Sequence, residues 1–437
     1  MDGGEKRQTK RPRFLKLQSR DIFGSFRMPI NSVPVRQEVT AEVLRVLTNN
    51  CFALKMISRA YEKYFQQKVP IGTTLQIKRP WRPTGRKGQG FQPEPIVQTT
   101  VPLTISYWRG GDFVYNDTDE ALFLDMENMH KNYSRPLALM IATQVEADLL
   151  AYMQITIPNF VGTPGTLPTV LDTYNSAQTV LNQLLAPQND RAIIYNSVFN
   201  QNIVKLGSTV FNPQREIGDQ YLEGYVGKYA GFKFGIDEQL PTFTVGVYAG
   251  TPVVNGAGQA GSSISIRGFN SSSTTLNPGD RITYTGIYKV NPSGIHNVYT
   301  NALFQQVVQA TVSDSAGVLV PQLYPPMIPA GDFQNCSASP ADGIGVQIAG
   351  ASGATCNTAF AIQSDAYTAA FLKLHKPMNV QCEVLGGEES GTPGIYIRSI
   401  RQWESSGPFA GYETERMDII YGFAAQYADH DSCVIYG

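Results

Sequence analysis

Ser134-Arg-Pro-Leu-Ala-Leu-Met-Ile-Ala-Thr-Gln-Val-Glu-Ala-Asp-Leu-Leu-Ala-Tyr-Met153 decides how the chain is read. Leu137, Ile141, Val145, Leu149 and Met153 recur every fourth residue, and Leu150 and Tyr152 widen the stripe, which is the pattern of a long helix with one buried face. Ser134 can cap the first turn, and Pro136 sits where a missing N–H costs nothing. Asp119 to Asn128 upstream reads as a shorter helix. Glu146 and Asp148 fall off the main stripe and read as a solvated face rather than as catalytic carboxylates. Strand-like segments on both sides of this helix make the body α+β rather than a helical bundle.

Upstream, Thr40 opens a helical segment through Val43, Leu44 and Leu47, and the helical pattern resumes from Phe52 through Leu54, Met56, Ile57 and Tyr61. From Gly72 the period changes to two. Leu75 and Ile77 alternate with polar neighbours, as do Val97, Val101, Leu103, Ile105 and Tyr107, so the two runs form the arms of a long hairpin. Its tip, Pro80 to Pro95, is rich in Gly and Pro, and residues 68–92 hold six cations and no anion. Lys78, Arg79, Arg82, Arg86 and Lys87, with Trp81 among them, have the composition of a nucleic-acid-binding loop. A hairpin this long presents its tip far from its own body, so contact with acidic patches of an adjacent subunit, such as Asp117, Asp119, Glu120 and Asp125, is the favoured reading.

Downstream, residues 171–185 give a second amphipathic helix, Arg191 to Tyr195 a short buried strand, and Ser197 to Leu206 a third helix. Around Pro241 the composition shifts to Gly, Ser, Thr, Val and Tyr, with short candidate strands at Thr242–Tyr248, Ser263–Gly268, Arg281–Val290, Phe304–Val312 and Gly317–Leu323. Turn signals such as Pro278-Gly279-Asp280 separate them, so residues 240–357 read as an inserted, antiparallel, barrel-like β-domain. Helix-plus-strand character returns over Phe360–Leu374, followed by strands at Ile395–Trp403 and Arg416–Tyr427.

The chain has 437 residues, room for more than one core, and only 16% charged residues, against about 25% in an ordinary soluble domain. Such polar but uncharged surface suits large protein contacts. Net charge is −1, so no global field draws the protein to nucleic acid or to an anionic membrane. Charge is uneven, however: Lys6, Arg7, Lys10, Arg11, Arg13, Lys16 and Arg20 face only Asp2 and Glu5. Residues 1–33 therefore read as a basic arm, its first part near nucleic acid and the apolar part from Phe14 onward docked on protein. Five cysteines without a close pair argue against a disulfide framework and for a reducing compartment. An apolar leader and a membrane-length run are both absent.

Chemical motifs mostly fail. Gly256-Ala-Gly258-Gln-Ala-Gly261 matches a dinucleotide-binding pattern, but strand-like sequence follows where a helix N-terminus is needed. Gly227-Lys228 is followed by Tyr229, which removes a phosphate-binding loop. His430, between Asp429 and Asp431, is the one histidine with adjacent carboxylates, and Cys382 reads as a small buried hydrophobe. The sequence thus points to no enzyme, no metal and no cofactor.

Several stretches together resemble the major capsid proteins of tailed double-stranded-DNA bacteriophages, most closely the short-tailed phage coat proteins with an inserted β-barrel. They are Val39 to Asn50 with Ser58 to Glu62, Gly72 to Pro80, Val101 to Ile105, Gln144 to Leu150, Asp190 to Asn196, Gly231-Phe232 and Met417 to Gly422. The resemblance implies the tailed-phage and herpesvirus capsid fold: an arm (1–38), an extended loop (66–106), and a discontinuous body of peripheral and axial domains (39–65, 107–239, 358–437) with the β-domain inserted. It implies a non-enzymatic shell protein that self-assembles into pentamers and hexamers enclosing packaged DNA, in a virion built in the host cytoplasm. Scaffolding, portal and decoration proteins would be its partners. A β-rich virion surface protein binding a receptor or carbohydrate is the rival reading.

Overall fold

The computed structural model describes residues 51–66, 73–83, 88–91, 93–116, 135–207, 228–270, 274–292, 299–313, 317–378, 381–387, 392–404, 408–409 and 411–437. The arm, with Lys6, Arg7, Lys10, Arg11, Arg13, Lys16 and Arg20, lies outside these residues, as do the helices expected over 40–47 and 119–128.

The quoted stretch is helical over Arg135–Thr156, hereafter the spine helix. Ile141, Val145, Leu149, Leu150 and Met153 are fully buried, as the fourfold spacing requires. Burial of each such side chain contributes roughly 1.5–3 kcal/mol. Truncating one, as in Leu149→Ala, would cost about 2–5 kcal/mol, because a cavity is added to the lost transfer energy.

Two sheets hold this helix between them. One has six strands in the order 160–161, 432–436, 358–363, 191–195, 232–236 and 228–229. Arg191–Tyr195 is buried at all five positions because both faces of its sheet are covered. Ala192 and Ile194 face the spine core, while Ile193 and Tyr195 face Tyr174, Ala177 and Leu181 of helix Asp172–Gln183 and Phe199 of helix Ser197–Gly207. The other sheet is centred on the long strand Tyr412–Ala425, which pairs with Tyr107–Asn116, Thr392–Glu404 and Tyr367–Phe371. Its Met417, Ile419, Tyr421 and Phe423 close the spine core.

Residues 250–348 are inserted in sequence between strands 232–236 and 358–363, which flank 191–195 in the six-stranded sheet, and they bury a core of their own, including Ile266, Ile282, Tyr284, Phe304 and Leu323. Their strand pairs are all antiparallel among the described residues. A five-stranded and a three-stranded sheet share that core, and a bridge between Val253 and Gly345 joins them on one side.

Four expectations need correction. The segment from Phe52 to Tyr61 is helical only over Phe52–Met56, because Ser58 turns its backbone to Ser364 and Tyr367. Residues 360–374 carry no α-helix: strands Thr358–Gln363 and Tyr367–Phe371 are joined by one short 3-10 turn, since both backbones are claimed by sheet partners. Cys382 is half-buried, on the edge strand Gln381–Gly387, whereas the other four thiols are buried. Glu146 is buried, as described below. Among the described residues no helix is long and apolar enough to cross a membrane.

Candidate functional site

The basic hairpin forms as Thr74–Lys78 paired with Thr100–Thr104, with Leu75 opposite Leu103 and Ile77 opposite Val101. Its inward side chains, Ile77 and Leu103, pack on Ala370 and Ala424. The hairpin root lies so close to the sheet that a Cβ on Gly422 would collide with the Thr104 carbonyl oxygen. Only the smallest residue admits that approach.

Beyond the strands the predicted site residues divide. Lys78 is exposed and Trp81 half-buried. Arg86 and Lys87 lie outside the described residues. Arg79 folds back on its own chain and pairs with Asp429 through two hydrogen bonds, Nη2 to Oδ1 at 3.1 Å and Nη1 to Oδ2 at 3.4 Å. The Tyr427 ring lies 5.7 Å below its guanidinium. Arg82 donates to His430 Nε2 and stacks on Phe333 at 5.5 Å. Farther out, Phe91, Ile96 and Val97 stand exposed.

In the sequence the basic loop and His430 are separate features; the fold brings them together. The short helix Ala428–Asp431 presents Asp429 and His430 to the hairpin root. Burial pushes the Asp429 carboxyl up, but its contact with His430 and the charges of Arg79 and Arg82 more than offset it and hold the group below the usual carboxylate range. Burial lowers the imidazole, which Asp429 only partly opposes. A neutral ring fits its contacts: Nε2 accepts from Arg82, and Nδ1 lies 3.4 Å from Asp429 Oδ2, where it can donate. No group of three or more potential metal ligands is found among the described residues.

The hairpin root, this turn and the segment Tyr324 to Asn335 enclose a cleft of about 310 Å³. A separate recess of about 20 Å³ shares Asp429 and His430 with the cleft and is lined by Lys289. Lys289 donates to Asn159 Oδ1 at 2.6 Å and to Gln305 Oε1 at 2.7 Å, and burial lowers its ammonium to about 8. Tyr324, Phe333, Asn335 and Lys289 were not singled out from sequence, where only the turn signal of Pro325-Pro326 marks the place.

A second polar cluster lies on the strand Tyr412–Ala425. Asp418, fully buried, accepts from Arg398 Nη2 at 2.6 Å, Arg416 Nε at 2.8 Å and Trp108 Nε1 at 3.1 Å. Asp148, read from sequence as solvated, accepts two bonds from Arg109, at 2.8 and 2.9 Å, and one from the Tyr421 hydroxyl at 2.6 Å. Asp418 and Asp148 thus have their charges met by arginines.

No family model matches the chain, and no curated protein does. Among solved structures it is similar to the Mycobacterium phage Che8 structure, at 12% identity and a TM-score of 0.45, over 87% of this chain and 89% of that one. It is also similar to the capsid structure of the cyanophage P-SCSP1u, at 13% identity and 0.39, over 87% and 88%. The asymmetric unit of the mature capsid of bacteriophage PhiM1 overlaps at 9% identity and 0.40, over 85% and 83%.

Proposed function

We propose that this chain is a major capsid protein of a tailed double-stranded-DNA bacteriophage, of the short-tailed kind with an inserted β-region. In this reading it is a non-enzymatic shell subunit that assembles into pentamers and hexamers around packaged DNA. Its partners are further copies of itself and scaffolding, portal and decoration proteins. Lys78, Trp81, Arg86 and Lys87 serve the contact with an adjacent subunit, while Arg79 and Arg82 anchor the hairpin that carries them. The basic arm meets DNA with its first residues and protein with the rest.

The observation that carries the reading is the hairpin. Its root is fixed by Arg79 on Asp429 and by the close passage over Gly422, while Phe91, Ile96 and Val97 near its tip stay exposed. A fixed root with an apolar tip suits a contact made on a neighbour, because exposed apolar surface of this kind gains by burial. Many such modest contacts sum to a stable shell. The test is electron microscopy of the full chain expressed alone and with its neighbouring genes. Closed shells from wild type, and folded monomers from a Phe91→Ser, Ile96→Ser variant, are expected. A wild-type protein that stays monomeric under every assembly condition overturns the proposal.

A further inference from the structure

The cleft beside the hairpin root carries an imbalance of charge. Arg79 is matched by Asp429. Arg82 has no such partner: its guanidinium meets a neutral imidazole and an aromatic face, and Asp429 and Asp431 act on it from beyond ion-pair distance among the described residues. Lys289, in the adjoining small recess rather than in the cleft itself, gives its hydrogen bonds to two uncharged amide oxygens, and it too has no ion-pair partner among the described residues. A cation held away from bulk water without a direct ion-pair partner is costly, and an anion bound on Arg82 in the cleft would relieve that cost.

We infer that this cleft is a binding site for a carboxylate borne on an apolar group, as where Asp or Glu adjoins Phe or Leu in a peptide. The carboxylate sits on Arg82, whose planar fork matches its two oxygens, and the apolar part lies against Phe333, Pro326 and Ile328. Asp429 on the same wall sets the valence. A phosphate dianion would meet that negative charge at close range, whereas a single carboxylate is accommodated by the unmatched guanidinium. A volume of about 310 Å³ is at the small end for ligand pockets and suits one aryl or branched side group. The geometry stands whether or not the chain forms shells.

The experiment titrates the full chain with 3-phenylpropionate, its neutral amide and inorganic phosphate. Thermal midpoint and the ring signals of the four histidines are followed, with His430 assigned from a His430→Gln spectrum. Saturable binding of the carboxylate with movement of the His430 signal is expected, as is a roughly tenfold or greater weakening for the amide, the size of one charge-assisted hydrogen bond. Arg82→Gln should lose carboxylate binding while a cooperative ligand-free thermal transition persists. Should that variant fail to fold, Phe333→Ala, which removes the ring stacked on Arg82, carries the test and should weaken binding. The inference is overturned by absence of saturable carboxylate binding, by equal binding of the amide, by tighter binding of phosphate, or by unchanged affinity in the variants.

Discussion

Arg281 donates through Nη2 to the Gln154 carbonyl at 3.1 Å, and so a strand of the inserted β-region caps the C-terminus of the spine helix. Its Nε serves the Ile157 carbonyl at 3.0 Å, and its Nη1 serves the Tyr436 hydroxyl. The last carbonyls of a helix have no partner within it, and a cation there is favoured by the helix dipole. Arg281 is fully buried, so these acceptors have no water to fall back on. Arg281→Met should leave several buried acceptors unsatisfied, at about 1–3 kcal/mol each. It should also split a single thermal transition into two, read by calorimetry as separate melting of body and β-region. One unchanged transition would mean that Arg281 does not couple them.

The hairpin root gives a second test. Arg79→Ala and Asp429→Ala should each destabilise the protein. The double variant should lose less than the sum, with a coupling of about 0.5–3 kcal/mol expected for contacting residues. Strict additivity in urea denaturation would show that the pair is not an energetic unit.

Gly422→Ala addresses the same anchor by steric means. The added methyl has no room beside the Thr104 carbonyl, and both atoms belong to sheet or hairpin backbone. Overpacking of this kind costs about 1–3 kcal/mol. Faster proteolysis within residues 79–99 is expected relative to wild type, and equal cleavage rates would contradict the anchoring role.

What could be read from sequence follows from what each pattern encodes. The spine helix, Arg191–Tyr195 and Arg281–Val290 appear almost as their spacing predicts, because one or two buried faces dictate their residues directly. Tyr367–Phe371 was not separable as a strand, since a short apolar run fits helix and strand alike until its sheet partners are known. Glu146 and Asp148 were assigned to solvent because helical spacing locates the main stripe but not what packs beside it. Neither the Ala53 amide nor Arg109 announces itself in one dimension. The pairing of Arg79 with Asp429 spans 350 positions and belongs to the same class.

Glu146 yields the last prediction, a pH dependence. Its carboxyl accepts the Ala53 N–H at 2.7 Å and the Leu54 N–H at 3.3 Å, capping helix Phe52–Met56 from the spine helix, with Asp237 beside it. Burial, and then the Asp237 charge, push it up to about 8 from an ordinary 4.5. Between those values the folded protein keeps a proton that the unfolded chain has released. The stabilisation is therefore full below about pH 4.5 and is lost as pH rises through about 8. For one proton the slope is about 1.4 kcal/mol per pH unit. Glu146→Gln retains an oxygen for the amides and an NH₂ for Asp237 but cannot ionise. Its stability relative to wild type should therefore climb from about pH 5 to about pH 8 in urea titrations. Asp431, raised to about 7, and Asp280, raised to about 6, tilt both proteins alike and cancel in the difference. A difference that stays flat across that range would place the proton elsewhere.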